Sequence, residues 1–209
     1  MKVLYIESKH KGNLNIQLSK QEVSQLPKNK GLFLAYSIQY KGLAESIKKQ
    51  LESNHVKIDK FQQVLGCSNV NTALPILLIG SGRFHAQNLM LQAREGLYVL
   101  ENNKIVKISD KEIQELKAKR KTALIKYLRA DKIGILVSTK PGQENLNQAI
   151  KLKEKIEKQN NQKQAFIFMS NNIDVSQFEN FNIESWVNTA CSGLSMDNFN
   201  IININEIKN

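Results

Sequence analysis

KIGILVSTKPGQENLNQAIKLKEKIEKQNNQKQAFIFMS, residues 132–170, decides the fold. KIGILVSTK is a run of apolar and β-branched residues short enough for a buried strand. QENLNQAIKLKEKIEKQ then places its apolar residues at helical spacing, and QAFIFMS is a second strand-like run. Strand, helix, strand over about forty residues is the grammar of a parallel βαβ unit, because parallel neighbours need a crossover and a helix is the usual one.

The same grammar extends outward in both directions. Downstream, IESWVNTACSG (183–193) reads as a further strand running into a loop. Upstream, SDKEIQELKAKRKTALIKYLRA (109–130) reads as one long helix, with Ser109 and Asp110 as candidate caps and apolar spacing through Leu128. GLYVLENNKIVKIS (96–109) reads as a hairpin turning at Asn102 and Asn103. Before it, VLYIES (3–8), LNIQLS (14–19), GLFLAYSIQY (31–40) and PILLIGSG (75–82) read as strands, while KQEVSQL (20–26), KGLAESIKKQLESN (41–54) and RFHAQNLMLQA (83–93) read as helices. The expectation is an α/β protein of two similar small domains, residues 1–106 and 107–209, each with a mainly parallel sheet flanked by helices.

Composition agrees with that class. The 209 residues are 41% hydrophobic and 23% charged, and no run approaches the roughly 20 apolar residues of a membrane helix. The N-terminal MKVLYIESKH has too short an apolar stretch for a signal peptide, so a cytoplasmic protein with reduced thiols is expected. The net charge is +11, spread along lysine-rich helices such as 45–60, 109–130 and 149–163. Solvated helix faces account for it; an acidic partner surface would too. No motif with interleaved aromatics accompanies the charge, so nucleic acid is not an expected partner.

Four segments carry residues able to do chemistry. GSGRFHA (80–86) could cradle an anion with the amides of Gly80, Ser81 and Gly82 and the guanidinium of Arg83; a tight strand-to-helix turn would have the same sequence. His85 in that segment is a base or ligand candidate, or a structural histidine. STKPGQEN (138–145) offers the Ser138 and Thr139 hydroxyls, the Lys140 charge, a Pro141-Gly142 turn and the Gln143 amide at a helix start, without the spacing of a nucleotide-binding P-loop. The two cysteines, Cys67 and Cys191, are the last two segments, 124 positions apart. They are either unrelated buried thiols, a disulfide pair disfavoured by compartment, or shared ligands of one metal centre. The sequence has no CxxC, which excludes a self-contained four-thiolate zinc finger.

QVLGC (63–67), ILLIGSGRFHA (76–86), KAKRKTALIKYLRADKIGILVSTKPGQ (117–143) and SWVNTACSGLSMDN (185–198), in this order, resemble the diphthamide synthase, or 2-(3-amino-3-carboxypropyl)histidine synthase, family of archaea and eukaryotes. The resemblance covers nearly the whole chain, and LVSTKPGQ and NTAC are its most specific blocks. It implies three similar α/β domains, each lending one cysteine to a [4Fe-4S] cluster, with Cys67 matching the second-domain ligand and Cys191 the third-domain ligand. It also implies S-adenosylmethionine as cofactor, transfer of a 3-amino-3-carboxypropyl group to a histidine of translation elongation factor 2, and Gly80, Ser81, Gly82, Arg83, His85, Ser138, Thr139, Lys140, Gly142 and Gln143 as candidates for gripping the ligand's polar groups.

Two departures from the family pattern shape the expectation. The first domain is not represented, with KVLYIES (2–8) standing where the second domain starts. Ser192 and Gly193 follow Cys191 where the family has Pro-Arg, which alters the loop and removes a positive charge. The expected arrangement is therefore a split enzyme whose first domain is supplied by another polypeptide, working as a homo- or hetero-oligomer; the alternative is a non-catalytic partner subunit.

Overall fold

A computed structural model describes residues 16–27, 29–80, 83–160, 162–198 and 200–207, without the side chains of Arg83, Phe84 and Asp197. It divides into two compact units, one ending at Leu116 and the other starting at Lys117. The sequence places the change of unit at 106–107. The division falls inside a helix, because the two ends of that helix are buried in different cores.

In the first unit, α1 (Lys20–Ser24) is followed by β1 (Leu32–Tyr36), a 3-10 turn, α2 (Lys41–Ser53), β2 (Ile58–Gln63), β3 (Ile76–Ile79), α3 (Arg83–Gln92), β4 (Leu97–Glu101) and β5 (Lys104–Lys107). The strand order is β2-β1-β3-β4-β5, with β1, β2, β3 and β4 parallel and only β5 antiparallel, against β4. β1 is buried along its whole length because both of its faces are covered. Leu32, Leu34 and Tyr36 pack with Leu43, Ala44, Ile47 and Leu51 of α2, while Phe33 and Ala35 pack with Ala86, Leu89 and Met90 of α3. Each of the large aliphatic side chains so buried is worth about 1.5–3 kcal/mol. The β4–β5 hairpin turns at Asn102 and Asn103, both with positive φ (49° and 63°), the backbone that a two-residue type I′ turn requires.

α4 (Asp110–Arg129) joins the units. Ser109 caps it: its hydroxyl accepts the Glu112 amide, and its own amide donates to the Glu112 carboxylate at 3.0 Å. Ile113 and Leu116 belong to the first unit's core, Ala123 and Tyr127 to the second's. Leu128, expected on the apolar stripe, is 59% exposed.

The second unit continues with β6 (Lys132–Ser138), α5 (Leu146–Gln159), β7 (Gln164–Ser170), a 3-10 segment, β8 (Ser185–Asn188), α6 (Leu194–Asp197), β9 (Ile201–Asn203) and α7 (Ile204–Ile207). Its sheet is all parallel in the order β7-β6-β8-β9. This repeats the first unit's β2-β1-β3-β4 order, so each half is a doubly wound α/β sheet whose chain reverses its direction of travel beside the central strand. Ile133, Ile135 and Val137 face α4 and α5. On the other face Gly134 lies under Trp186, and Phe168 and Phe178 close an aromatic cluster around the indole.

Some sequence expectations are corrected. The strand reading at 3–8 lies outside the described residues. At 14–19, the described part from Ile16 to Ser19 is not a strand. Gln50 of α2 replaces a strand partner there, its amide accepting from the Leu18 N–H at 2.9 Å and donating to the Ile16 carbonyl at 2.7 Å. β2 and β9 were not foreseen. IDKFQQ on a sheet edge is two-thirds polar, and IIN is too short to show a period.

Candidate functional site

In both units the parallel strands aim their carboxyl ends at one edge of the sheet, where ligands of such folds bind. Cys67 and Cys191 are both in loops at such edges, Cys67 after β2 and Cys191 after β8. Both are free thiols, Cys67 exposed and Cys191 half-buried.

The Cys67 loop is held by its own turn and by α3. The Leu65 amide donates to the Ser68 hydroxyl at 2.8 Å and the Ser68 amide to the Leu65 carbonyl at 3.0 Å. Asn88 and Gln92, one helical turn apart on α3, both donate to the Ser68 carbonyl, at 2.8 and 3.0 Å. Val64 and Val70, each buried, anchor the loop's two ends in the core. The thiol is left outward on a backbone with little freedom.

The Cys191 loop is built on a buried polar network. Asn188, at the end of β8, donates to the Cys191 carbonyl at 2.7 Å and to the Asn203 side chain at 2.8 Å, and accepts from the Ala190 amide at 2.9 Å. Asn203 donates to the Ser195 hydroxyl at 2.6 Å, which donates to the Ser192 carbonyl at 2.9 Å. Arg120 underlies this loop. Its guanidinium, 6% exposed, donates to the Ser195 and Ile201 carbonyls and makes a two-pronged pair with Glu206, at 2.8 and 2.6 Å. The Ser192-Gly193 departure is accommodated here, since it is the Ser192 carbonyl that the network uses; its hydroxyl is buried with no partner among the described residues.

Beside Cys191, in the same unit, stands the STKPGQ segment. Ser138 is buried at the end of β6 and its hydroxyl accepts the Lys140 amide at 3.1 Å. The Thr139 amide donates to the Ser170 carbonyl, leaving an exposed side chain. Lys140 to Gln143 is a closed turn, with a 3.0 Å bond from the Gln143 amide to the Lys140 carbonyl and Gly142 at φ +77°, the position that favours glycine in a type II turn. Gln143 belongs to this turn and not to the helix start: α5 begins at Leu146. Asn145, just before it, donates to the Thr189 carbonyl at 2.6 Å and ties the segment to the Cys191 strand.

In the first unit, Gly80 directly follows β3, and Ser81, Gly82 and the Arg83 side chain lie outside the described residues. A methyl group on Gly80 would lie 3.1 Å from the Ser37 hydroxyl, which is buried just after β1 with no hydrogen-bond partner among the described residues. His85 is half-buried on α3, and its burial lowers its pKa below 6.5, so it is neutral near pH 7. His55 is on a surface turn with φ 62° and His10 lies outside the described residues.

Among the described residues no three His, Cys, Asp or Glu side chains converge on a possible metal site. The residues that position Cys191 were not legible as such. Arg120 is embedded in a lysine-rich helix that reads as solvated, and Asn188 and Asn203 look like ordinary strand ends. The one available signal was the asparagine three positions before Cys191.

A family model for diphthamide synthesis proteins matches residues 1–202, through both units and both cysteine loops. The chain belongs to the diphthamide synthesis protein family. Among this family's members it is similar to 2-(3-amino-3-carboxypropyl)histidine synthase of Pyrococcus horikoshii, 30% identical over 142 residues, which are 66% of this chain and 40% of that protein. Its fold is similar to the crystal structure of Dph2 from Pyrococcus horikoshii with a 4Fe-4S cluster, at a TM-score of 0.75 and 24% identity, over 90% of this chain and 58% of that one. A second crystal structure of Dph2 from the same organism matches to the same extent. The chain thus spans about half the length of the family members it matches. No helix among the described residues is long and apolar enough to cross a membrane.

Proposed function

We propose that this chain is part of a diphthamide biosynthesis enzyme, a 3-amino-3-carboxypropyl transferase that uses S-adenosylmethionine and a [4Fe-4S] cluster to modify a histidine of translation elongation factor 2. The observation that carries the reading is the pair of free thiols, one per unit, each in an anchored loop at the carboxyl edge of a parallel sheet, in a chain matched by the family model through both loops.

The residues present fit a share of such a cluster. Iron–sulfur clusters are held by cysteine thiolates, and Cys67 and Cys191 are both reduced and reachable from solvent. The cluster, when bound, supplies an electron and an iron to which the methionine part of S-adenosylmethionine can bind. The chain's own contribution is placement. The Asn188–Asn203–Arg120 network holds the Cys191 backbone, and Asn88 with Gln92 holds that of Cys67. Ser138, Thr139, Lys140, Gly142 and Gln143, with Gly80, Ser81, Gly82, Arg83 and His85, are the groups proposed to hold the polar ends of the ligand. The third thiolate comes from the family's first domain, in a cytoplasmic oligomer.

The test is anaerobic reconstitution. Alone, the chain should take up iron and sulfide only labilely; mixed with a polypeptide carrying the family's first domain, it should gain a stable brown chromophore and turn over elongation factor 2 with S-adenosylmethionine and a reductant. Full iron content in the Cys67→Ala and Cys191→Ala mixtures would refute the shared-ligand reading. A second reading, a non-catalytic partner subunit, draws on Ser192 and Gly193, which follow Cys191 where the family pattern has Pro-Arg. It gains the field if the mixture assembles and leaves the histidine unmodified.

A further inference from the structure

Away from the carboxyl edge, the second unit has a groove of about 450 Å³ lined by the last turn of α4, one stripe of α5, and α7. Leu152, Ile156, Ile204 and Tyr127 form its apolar floor, all at least nine-tenths buried, and the burial of Tyr127 pushes its phenol pKa up. Leu128 stands on its wall, 59% exposed. The residues that α5 contributes run from Gln148 to Gln159 at helical spacing, a stripe roughly 16 Å long at 1.5 Å per residue. That is the length of three turns of a second helix.

The rim is basic. Lys151, Lys155 and Lys163 line it, and among the described residues no Asp or Glu does. Lys163 is used internally, donating to the Leu128 carbonyl at the end of α4. Lys151 and Lys155 are exposed, one turn apart, and neither has an ion pair among the described residues. The acids of α5 are engaged elsewhere: Glu157 pairs with Lys153 and Glu154 with Lys158, while Glu206 of α7 is taken by Arg120. Like charges at this spacing cost a helix a few tenths of a kcal/mol. An apolar trough beside two uncompensated lysines matches a ligand that is apolar on one face and anionic on the other.

We propose that this groove docks an acidic amphipathic helix of a partner protein, with its apolar residues at i, i+3, i+4 and i+7 on the α4–α5–α7 floor and its carboxylates against Lys151 and Lys155. A concave site with two lysines unpaired among the described residues suits a single helix better than the flat surface of an anionic membrane, which would meet a projecting basic face.

The test uses the full chain and a fluorescein-labelled 15-residue peptide with leucine at i, i+3, i+4 and i+7 and glutamate on its other face, followed by anisotropy. Binding should weaken at least ten-fold in the Lys151→Glu/Lys155→Glu double variant and several-fold in Leu128→Ser, which alters an exposed side chain and leaves the fold intact. The Lys48→Glu/Lys49→Glu double variant on α2 carries the same change in net charge and should shift binding less than two-fold. Equal weakening by both double variants would reduce the effect to net charge and overturn the proposal. So would equal binding of a peptide with lysine in place of glutamate, or no peptide binding alongside capture of phosphatidylserine vesicles that the Lys151→Glu/Lys155→Glu variant abolishes.

Discussion

The side-chain amide of Asn188 donates to the carbonyl of Cys191, three residues on, at 2.7 Å, and to Asn203 at 2.8 Å. Both of its N–H groups are thereby used, and its oxygen receives the Ala190 amide. One side chain, 1% exposed, thus fixes the backbone on both sides of the candidate ligand.

Asn188→Ala leaves the Asn203 oxygen and the Ala190 amide without a partner. Each such buried group costs about 1–3 kcal/mol. The variant should unfold at lower urea concentration, and hydrogen exchange at residues 189–192 should accelerate while that of β1 and α2 does not. Unchanged exchange in the Cys191 loop would show that Asn188 does not hold it.

Arg120→Ala removes a two-pronged ion pair and two carbonyl contacts from a site where the arginine is 6% exposed. Breaking one partner of a buried pair costs about 3–5 kcal/mol, and the 28% exposure of the Glu206 side chain puts the expected loss near the lower end. Arg120→Lys should recover only part of it, because an ammonium cannot make the parallel pair of bonds. Equal stability of the lysine variant and the parent chain would show that geometry is immaterial there.

Gly134 lies on the Trp186 ring, and a methyl group there would fall 2.3 Å from two of its carbons. With Phe168 and Phe178 packed on the indole, it has nowhere to move. Gly134→Ala should destabilise by about 1–3 kcal/mol and shift the fluorescence of the chain's single tryptophan. An unshifted spectrum would place Trp186 elsewhere.

His85 gives a pH signature. Its folded pKa lies below 6.5 through burial, so the unfolded chain binds its proton first and stability falls as pH drops below 6.5 toward the folded pKa. The lowered carboxylates Glu22, Glu157 and Asp174 act only below about 4.5, from their ordinary values of 4.5, 4.5 and 3.8. Between pH 6.5 and 4.5 the slope of stability against pH should therefore flatten in His85→Gln. An unchanged slope would assign the proton uptake to another group.

Periodicity alone carried the α/β reading with mainly parallel sheets, because β1, β3, β6 and β8 are buried along their length and α2 and α5 on one face, and those patterns are written in single residues. The caps and turns were legible for the same local reason: Ser109 at the start of α4, Asn102 with Asn103, Pro141 with Gly142. The two cysteines stood out by rarity, and their blocks carried the family. What only the tertiary structure decided is which polar residues serve them. Arg120 and Glu206 are 86 positions apart, Asn188 and Asn203 fifteen, and Asn88 reaches a loop twenty residues behind it. Their hydrogen bonds exist because parallel strands with helical crossovers bring distant segments to one sheet edge, and no spacing along the chain records which of thirty basic residues is turned inward. The groove beside α5 has the same origin: its lysines read as a solvated face, and only the packing of α4 and α7 against them made that face concave.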